Sequence, residues 1–422
     1  MIIQETLENG IRVVGETMEK VRSCAIGVWV GTGSAFEREN EGGASHFIEH
    51  MLFKGTNTRT AQDIAAEMDG IGGNINAFTS KECTCFYAKV LDENLDTAVD
   101  VLSDIVLNST FDPEELKKEQ GVICEEILMT QDSPEDLAHE SIAQLYYESD
   151  PLARPILGTE KSVRAFTRES LFDYMHRQYV PERIVISAAG HLEEDKLLSL
   201  AREKFSGLKK GTAHPFGQNK APGGKRFKPV EKDIEQIHIC MAMPGTALDA
   251  DDQYPLFVLS NVLGGSMSSR LFQKIREQRG MAYSIYSYPT CYRSTGSFSF
   301  YAGTGEQQAV EVIRLMREEM ENVIKNGITE KEFKRSKDQL KGSYLLSQEG
   351  TSSRMNALGK TALLQNKLYN EQETYDRIES VTIEDVERIL PQMLDIENTA
   401  TVCVGRIKKR EQEIRELLEL NE

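Results

Sequence analysis

Two of the seven histidines in the chain stand four residues apart in GGASHFIEHMLFKGT, residues 42–56, with a glutamate between them. The glycines before this run and the Lys-Gly pair after it predict that the residues between them form a short helix. On a helix His46 and His50 project from one face, at the spacing that lets two imidazoles bind one metal ion, and Glu49 shares that side. Zinc held by two histidines and a carboxylate keeps a position for water, which a nearby carboxylate can deprotonate. The alternative is a pair of histidines whose hydrogen bonds are satisfied on a helix surface. A third candidate ligand would favour the metal site over this alternative.

The stretch FDPEELKKEQGVICEEILMT, residues 111–130, offers candidates for the third ligand. Its Asp-Pro start and the acidic residues that follow are typical of a helix N-terminus. Glu119 and Glu126 fall on or beside the apolar stripe of this helix, whereas Glu125 is turned about 100° away. Because two carboxylates that face a core are expensive unless they are compensated, we predict Glu126 as the third ligand and Glu119 as the carboxylate that orients a histidine. The alternative for Glu119 is a partly exposed residue at the boundary of the core.

The length of 422 residues is enough for two or three domains, and 40% hydrophobic with 27% charged residues is typical of a folded globular protein. No run approaches the roughly 18 apolar residues that a membrane span needs, so we expect a soluble protein with no membrane partner. The N-terminal MIIQETLENGIRVVGETMEK shows neither a secretory signal nor an Arg-rich transit peptide. The expected location is cytoplasmic.

The net charge of -18 argues against a nucleic-acid partner, because phosphate backbones need a positive field. This charge would suit cationic peptides, although an acidic surface that only keeps the protein soluble is the simpler explanation. The seven cysteines are odd in number and lack framework spacing. We therefore expect reduced thiols, most of them buried.

The two halves of the chain share sequence features that indicate a duplication. CAIGVWVGTGSAF and HICMAMPGTAL both predict a buried strand that runs into a Gly-Thr turn, and FDPEELKKEQGVICEEI has a counterpart in ITEKEFKRSKDQLKGSYL. Strands and helices are mixed rather than strictly alternating, which favours an α+β fold of two similar domains, each a mainly antiparallel sheet packed with helices. We expect these domains over residues 1–210 and 230–422, joined by a linker over 211–229 that is rich in Gly, Pro and Lys.

The second copy has lost the candidate ligands. Aligning the copies places FVLSN, residues 257–261, opposite the histidine motif, and Ser336 and Ser343 opposite Glu119 and Glu126. We therefore predict one metal ion per chain and an architectural or complementary role for the second half.

Taken together, these residues resemble the pitrilysin and insulinase family of inverted-motif zinc peptidases, and most closely its half-length branch, which includes the mitochondrial processing peptidase and its bacterial relatives. The resemblance rests on HxxEH with a glutamate 76 residues after the second histidine. It extends from LENGIRVV through NINAFTSKECTCFYAKVL to SRLFQKIREQRGMAYSIYS. It implies that His46, His50 and Glu126 bind Zn²⁺, that Glu49 is the general base and that Glu119 is the family's supporting glutamate.

The resemblance also implies roles for Arg276 and Tyr283. The residue types alone would not indicate a function for this pair. In the family an Arg and a Tyr at this spacing reach the zinc site from the opposite half of a clamshell, where they bind substrate and stabilise the oxyanion. Full-length members carry four such domains and this chain carries two. A homodimer is therefore implied, each chain forming half of the clamshell, with Arg276 and Tyr283 of one subunit serving the zinc of the other.

Finally, the resemblance makes the stretch around Asn76, Ala77 and Phe78 an edge strand to which a peptide substrate adds as a further strand. Backbone pairing of this kind tolerates many sequences, so unfolded peptides are the implied substrates. The expected activity is that of a zinc-dependent endopeptidase. The alternatives are a non-catalytic member of the family and a subunit whose catalysis needs a different partner chain, as in the heterodimeric processing peptidases.

Overall fold

A computed structural model describes residues 2–211, 217–221 and 223–420. Residues 212–216 and 222 of the predicted linker lie outside the described residues. The strands are β1 (Ile2–Thr6), β2 (Arg12–Thr17), β3 (Ser23–Val30), β4 (Asn74–Thr79), β5 (Thr84–Leu91), β6 (Ile184–Gly190), β7 (Arg226–Glu231), β8 (Gln236–Pro244), β9 (Ala282–Cys291), β10 (Gly296–Gly305) and β11 (Ala400–Gly405). The α-helices are α1 (Ala44–Leu52), α2 (Ala61–Gly70), α3 (Leu95–Asn108), α4 (Pro113–Asp132), α5 (Pro134–Tyr147), α6 (Glu160–Ala165), α7 (Arg168–Gln178), α8 (Glu194–Phe205), α9 (Gln253–Leu263), α10 (Ala309–Asn326), α11 (Glu330–Ser347), α12 (Thr351–Gln365), α13 (Glu371–Ser380), α14 (Ile383–Met393) and α15 (Glu411–Leu417).

The chain folds into two compact units, each with its own hydrophobic core. Unit 1 comprises Met1–Leu128, Arg154–Gly217 and Leu345–Asn370, and unit 2 comprises Met129–Ala153, Gln218–Tyr344 and Glu371–Glu422. The units do not coincide with the predicted ranges 1–210 and 230–422. The reason is that α5, from the first half of the sequence, packs on β8 and β11 of unit 2, whereas α12, from the second half, packs on β2, β3 and β6 of unit 1.

A close approach of backbone to ring holds α12 on the sheet of unit 1. A Cβ atom on Gly359 would lie 2.1 Å from Nε1 of Trp29, so only glycine lets the helix come this near to β3. The same indole nitrogen donates a hydrogen bond to the Ser187 hydroxyl of β6 at 2.9 Å. Trp29 thus joins α12 to two strands of the sheet.

The sheets confirm the α+β fold and show the duplication in three dimensions. The strand order is β1-β2-β6-β3-β5-β4 in unit 1 and β7-β11-β8-β10-β9 in unit 2. Apart from β1, which forms an antiparallel hairpin with β2, the orders correspond strand for strand. In each sheet one pair is parallel, β2 with β6 and β7 with β11, and the other neighbours are antiparallel. Both sheets are therefore mainly antiparallel, as predicted.

No disulfide joins any of the seven cysteines, all of which lie among the described residues, and all except Cys291 are buried. Among the described residues, no helix is long and apolar enough to cross a membrane.

A buried carboxylate anchors the N-terminus of α1, the helix that carries the histidine pair. Gly43 precedes the helix with φ of 91°, and a Cβ atom there would lie 2.6 Å from the Leu157 carbonyl oxygen, so no capping side chain fits at this position. The two oxygens of Glu37, which is 2% exposed, instead accept hydrogen bonds from the backbone N–H groups of Gly43 and Ser45 at 2.8 and 2.9 Å. Glu37 thus supplies the cap that the helix start lacks.

The Glu37 cap predicts a pH-dependent contribution to stability. Burial, opposed by hydrogen bonds from Ser45 and Gly43, raises the pKa of Glu37 from 4.5 to about 7. A carboxyl group with a higher pKa in the folded than in the unfolded chain binds its proton more tightly when folded, so its stabilising contribution is lost as pH rises from about 4.5 to about 7. Glu37→Gln cannot titrate and should lose one of the two N–H bonds at every pH, at a cost of roughly 1–3 kcal/mol.

We therefore expect the stability advantage of the wild type over Glu37→Gln to shrink across this pH window. Chemical denaturation of both proteins at about pH 5 and about pH 8 measures the change. A difference that stays constant between the two pH values would contradict the shifted titration of Glu37.

Candidate metal centre

Helix α1 lies with its apolar face in the core of unit 1 and presents the histidine motif on the opposite side. Phe47 and Ile48 are buried, whereas His46, Glu49 and His50 are half-buried. The motif therefore lies where polar side chains can meet a neighbouring element without being fully exposed to water.

Helix α4 brings Glu126 to this pair. The Oε2 atom of Glu126 lies 3.6 Å from Nε2 of His46 and 3.6 Å from Nε2 of His50. One potential ligand atom from each of these three residues lies within 4.8 Å of the others, and no other group of three or more His, Cys, Asp or Glu residues in the described chain could hold a metal ion. The structure thus brings together the three side chains that were predicted as ligands.

The arrangement fits zinc. Bonds of about 2.0–2.2 Å in a tetrahedral site place ligand atoms about 3.3–3.6 Å apart. The two nitrogen-to-oxygen distances of 3.6 Å are close to that spacing, and two imidazoles with one carboxylate are donors that zinc prefers. His46, His50 and Glu126 can therefore bind a zinc ion with little rearrangement.

The two imidazoles differ in their electrostatic surroundings. Burial, reinforced by the neighbouring His50, lowers the pKa of His46 from 6.5 to about 3, so the His46 ring is neutral at neutral pH and offers a lone pair. Burial also acts to lower the pKa of His50, but the hydrogen bond to Glu119 and the charges of Glu126, Glu119 and Glu49 outweigh it and leave this pKa raised. His50 therefore holds a proton more tightly than His46 does.

Glu119 orients His50. The carboxylate is 3% exposed, which makes the partly exposed boundary residue the wrong alternative. Its Oε2 atom lies 2.9 Å from Nδ1 of His50 and its Oε1 atom lies 2.7 Å from Nζ of Lys54. Because an ionised Glu119 accepts the Nδ1–H bond, Nε2 of His50 is left free on the side of Glu126.

Sequence reasoning missed Lys54. Its ammonium group and His50 together outweigh the effect of burial, and they hold the pKa of Glu119 below its ordinary value. The available signal was the spacing, since Lys54 follows His50 by the same four residues that separate the two histidines. On the sequence alone, Lys54 with Gly55 indicates only the end of the helix.

Glu49 is held by a residue that the sequence also did not reveal. The Thr79 hydroxyl, on the last residue of β4, donates a hydrogen bond to Oε2 of Glu49 at 2.5 Å. Burial raises the pKa of Glu49, opposed by this hydrogen bond and by the charge of His50. A sequence signal for Thr79 exists in the alternation of β4, which places it on the same face as Ala77.

The predicted substrate strand is β4, an edge of the unit 1 sheet. It pairs with β5, and no other described strand pairs with it. Asn76 is exposed, Ala77 packs against the core, and the Phe78 ring meets the Trp29 ring edge-on at 5.5 Å. The side chains of Ala77 and Phe78 thus have structural contacts, and pairing of a peptide with the open backbone edge of β4 stays a prediction.

Arg276 and Tyr283 are neighbours in unit 2. Arg276 lies in a π-helical turn, Phe272–Glu277, and its guanidinium carbon is 5.0 Å from the centre of the Tyr283 ring. The ring is 76% exposed. The structure brings these two residues together on the surface of unit 2, and their role toward a metal site stays a prediction.

In unit 2 an amide network stands where unit 1 has its candidate ligands. Asn261 of α9 donates through Nδ2 to the Ser336 carbonyl oxygen at 3.0 Å and to Oε1 of Gln339 at 2.5 Å. Gln339 in turn donates to the Ser343 hydroxyl at 3.1 Å. Ser336, predicted to align with Glu119, thus contacts the helix that corresponds to α1 through its carbonyl group, whereas Ser343, predicted to align with Glu126, bonds within α11.

Comparison with known proteins identifies the family. The sequence pattern of a family described as "Insulinase (Peptidase family M16)" matches residues 12–160, and that of "Peptidase M16 inactive domain" matches residues 165–340. The chain is 44% identical to an uncharacterized zinc protease of Bacillus subtilis over 93% of this chain and 96% of the relative. It is 38% identical to an uncharacterized zinc protease of Streptomyces coelicolor over 96% of this chain and 90% of that relative.

Solved structures share the fold. A peptidase M16 inactive domain from Pseudomonas fluorescens superposes with a TM-score of 0.89 at 20% identity and covers 96% of this chain and 98% of its own. A protease from Helicobacter pylori gives a TM-score of 0.89 at 23% identity, over 96% of this chain and 99% of its own. With relatives this similar along nearly its whole length, the chain belongs to the insulinase family of peptidases, M16, as a half-length member.

Proposed function

We propose that the chain is a zinc-dependent endopeptidase that cleaves unstructured peptides. The observation that carries the proposal is the convergence of His46, His50 and Glu126 at zinc-ligand spacing. Glu49, on the same helix, supplies a carboxylate beside them. Relatives that are named zinc proteases support the same reaction class.

In the proposed reaction each residue has a separate task. Zinc, when held by His46, His50 and Glu126, supplies a Lewis acid that polarises the scissile carbonyl and lowers the pKa of water. Glu49 takes the proton from the attacking water and passes it to the leaving amine. Glu119 keeps His50 in the tautomer that can bind a metal.

The proposed substrate is a peptide in extended conformation. The free edge of β4 can accept one more strand through backbone hydrogen bonds, which do not depend on the peptide's sequence. A folded protein cannot present such a strand unless it unfolds locally. The net charge of -18 would favour cationic peptides.

We also propose a homodimer in which Arg276 and Tyr283 of one subunit bind substrate and stabilise the oxyanion at the metal site of the other. A guanidinium and a phenol are suitable donors for that charge. Their contact with one another and the exposure of Tyr283 support this role. The competing functions are a non-catalytic family member and a subunit that needs a different partner chain.

Glu49→Gln should abolish peptide cleavage while zinc binding persists. The amide cannot take a proton from water, so the rate should fall by roughly 10²–10⁴-fold. Digestion of an unbiased peptide mixture, read by mass spectrometry with and without a chelator, measures the rate and maps the cuts.

The matched control for this variant is Glu125→Gln, since Glu125 is exposed and lies beside a ligand without facing the site. It should cleave like the wild type. If Glu49→Gln binds zinc and cleaves as fast as the wild type, Glu49 is not the base. A wild type that binds zinc but cleaves nothing supports either a non-catalytic family member or a subunit that needs a different partner chain.

Glu119→Gln should weaken zinc binding. The variant keeps the shape of the side chain but loses the charge that fixes His50, and loss of such a partner typically costs 10–100-fold in metal affinity. Competition with a chelator of known affinity measures this change, with Glu125→Gln again as the control. Equal affinities for the two variants would show that the bond from His50 to Glu119 does not support the metal.

Mixing two inactive variants should restore activity if the sites are shared between subunits. In a mixed dimer of Glu49→Gln with Arg276→Ala, one site carries both defects and the other carries neither. After random exchange of subunits, about a quarter of wild-type activity is expected. If each site were completed within one chain, the mixture would stay inactive, which would contradict the shared site.

A further inference from the structure

Thr79 occupies a position that links the edge strand to the catalytic carboxylate. It is the last residue of β4, and its hydroxyl lies 2.5 Å from Oε2 of Glu49. The only other side-chain hydroxyl close to it among the described residues is that of Thr84, at 3.5 Å. Of these two contacts of the Thr79 hydroxyl, the one to Glu49 is therefore the shorter and the stronger candidate for its hydrogen bond.

The direction of this hydrogen bond follows from the donors present. A hydroxyl has one proton, and an ionised carboxylate only accepts. The Thr84 hydroxyl is already committed, because it donates to the Thr32 carbonyl oxygen at 3.0 Å. Thr79 thus donates to Oε2 of Glu49, and no hydrogen bond from the described residues reaches Oε1.

The pleat of β4 explains why a strand residue can reach the base. Alternate side chains of a strand share a face, and Ile75 and Ala77 pack against the core of unit 1 on the side where α1 contacts β4. Thr79 follows on that face. The backbone edge of the same strand is unpaired among the described strands. One strand therefore offers a hydroxyl to Glu49 and an edge to a peptide.

We infer that Thr79 is a positioning residue that fixes the carboxylate of Glu49, so that one oxygen is held and the other is reserved for the reacting water. The inference rests on the proposed peptidase function. It assigns β4 two tasks: it pairs with the substrate backbone and it orients the base that acts on the same substrate. Loss of the hydroxyl should therefore slow the chemical step more than it weakens substrate binding.

The first test compares Thr79→Val, which keeps the shape of the side chain, with Thr79→Ser, which keeps the hydroxyl. For Thr79→Val we expect kcat to fall roughly 10- to 100-fold with KM changed by less than about three-fold. Thr79→Ser should restore most of the loss. The matched control is Thr17→Val, which removes the hydroxyl from the last residue of β2, where it donates to the Leu192 carbonyl oxygen and contacts neither Glu49 nor Thr79, and it should leave kcat near the wild-type value.

A second test needs neither zinc nor activity. In metal-depleted protein, thermal unfolding is measured for Thr79→Val, Glu49→Ala and the double variant. Because the two side chains share one hydrogen bond, the double variant should lose less Tm than the sum of the losses in the two single variants, by roughly 1–3 °C. The pair Thr17→Val with Glu49→Ala should be additive, because these two residues share no partner.

The outcomes separate this inference from the proposed function. An active wild type with an equally active Thr79→Val overturns the role of Thr79 and leaves the peptidase intact. The role of Thr79 is also overturned if Thr79→Val raises KM with kcat unchanged, or if the Tm losses of Thr79→Val and Glu49→Ala are additive. A zinc-loaded wild type that cleaves no peptide overturns the proposed function, and the catalytic role of Thr79 falls with it.

Discussion

The candidate metal centre depends on the contacts that compensate the buried charge of Glu119. A carboxylate that is 3% exposed is costly unless cations or donors compensate it, and His50 and Lys54 do so at 2.9 and 2.7 Å. Both partners come from α1 or the residues just after it, so this contact fixes α4 against α1. Glu126 follows Glu119 by seven residues, about two helical turns, and therefore projects on the same side. It reaches the histidines as a consequence.

The same principle applies to the other carboxylates around α1. Glu37 is buried at the helix start and held by backbone N–H groups, and Glu49 is held by Thr79. Together with Glu119, these acids tie α1 to three elements: the loop before it, strand β4 and helix α4. The position of the helix is thus fixed by contacts with buried carboxyl groups as well as by its apolar face, and a site built in this way is organised before a metal ion arrives.

Features that depend on local periodicity could be predicted from the sequence, and features that depend on register between distant segments could not. The spacing of the histidines and the stripe of α4 placed Glu119 and Glu126 correctly. The role of Thr79 could not be predicted, because its partner Glu49 lies thirty residues away in the sequence and only the packing of α1 on β4 brings the two together. The sequence also could not predict that α5 packs in unit 2 and α12 in unit 1, for a related reason. An amphipathic pattern shows that a face of a helix is buried but not which sheet buries it.

Comparison of the two units separates what the fold needs from what the chemistry needs. The sheets have the same strand order apart from β1, yet where unit 1 has His50 and Glu119, unit 2 joins α9 to α11 through the amide of Asn261. The side-chain hydrogen bonds between α9 and α11 are therefore made by neutral groups. Buried ionised groups in the same place are the more costly solution, because each has to be desolvated and compensated. Since the architecture exists without them, the charges of unit 1 are best explained by the metal ion and the reaction that they can support.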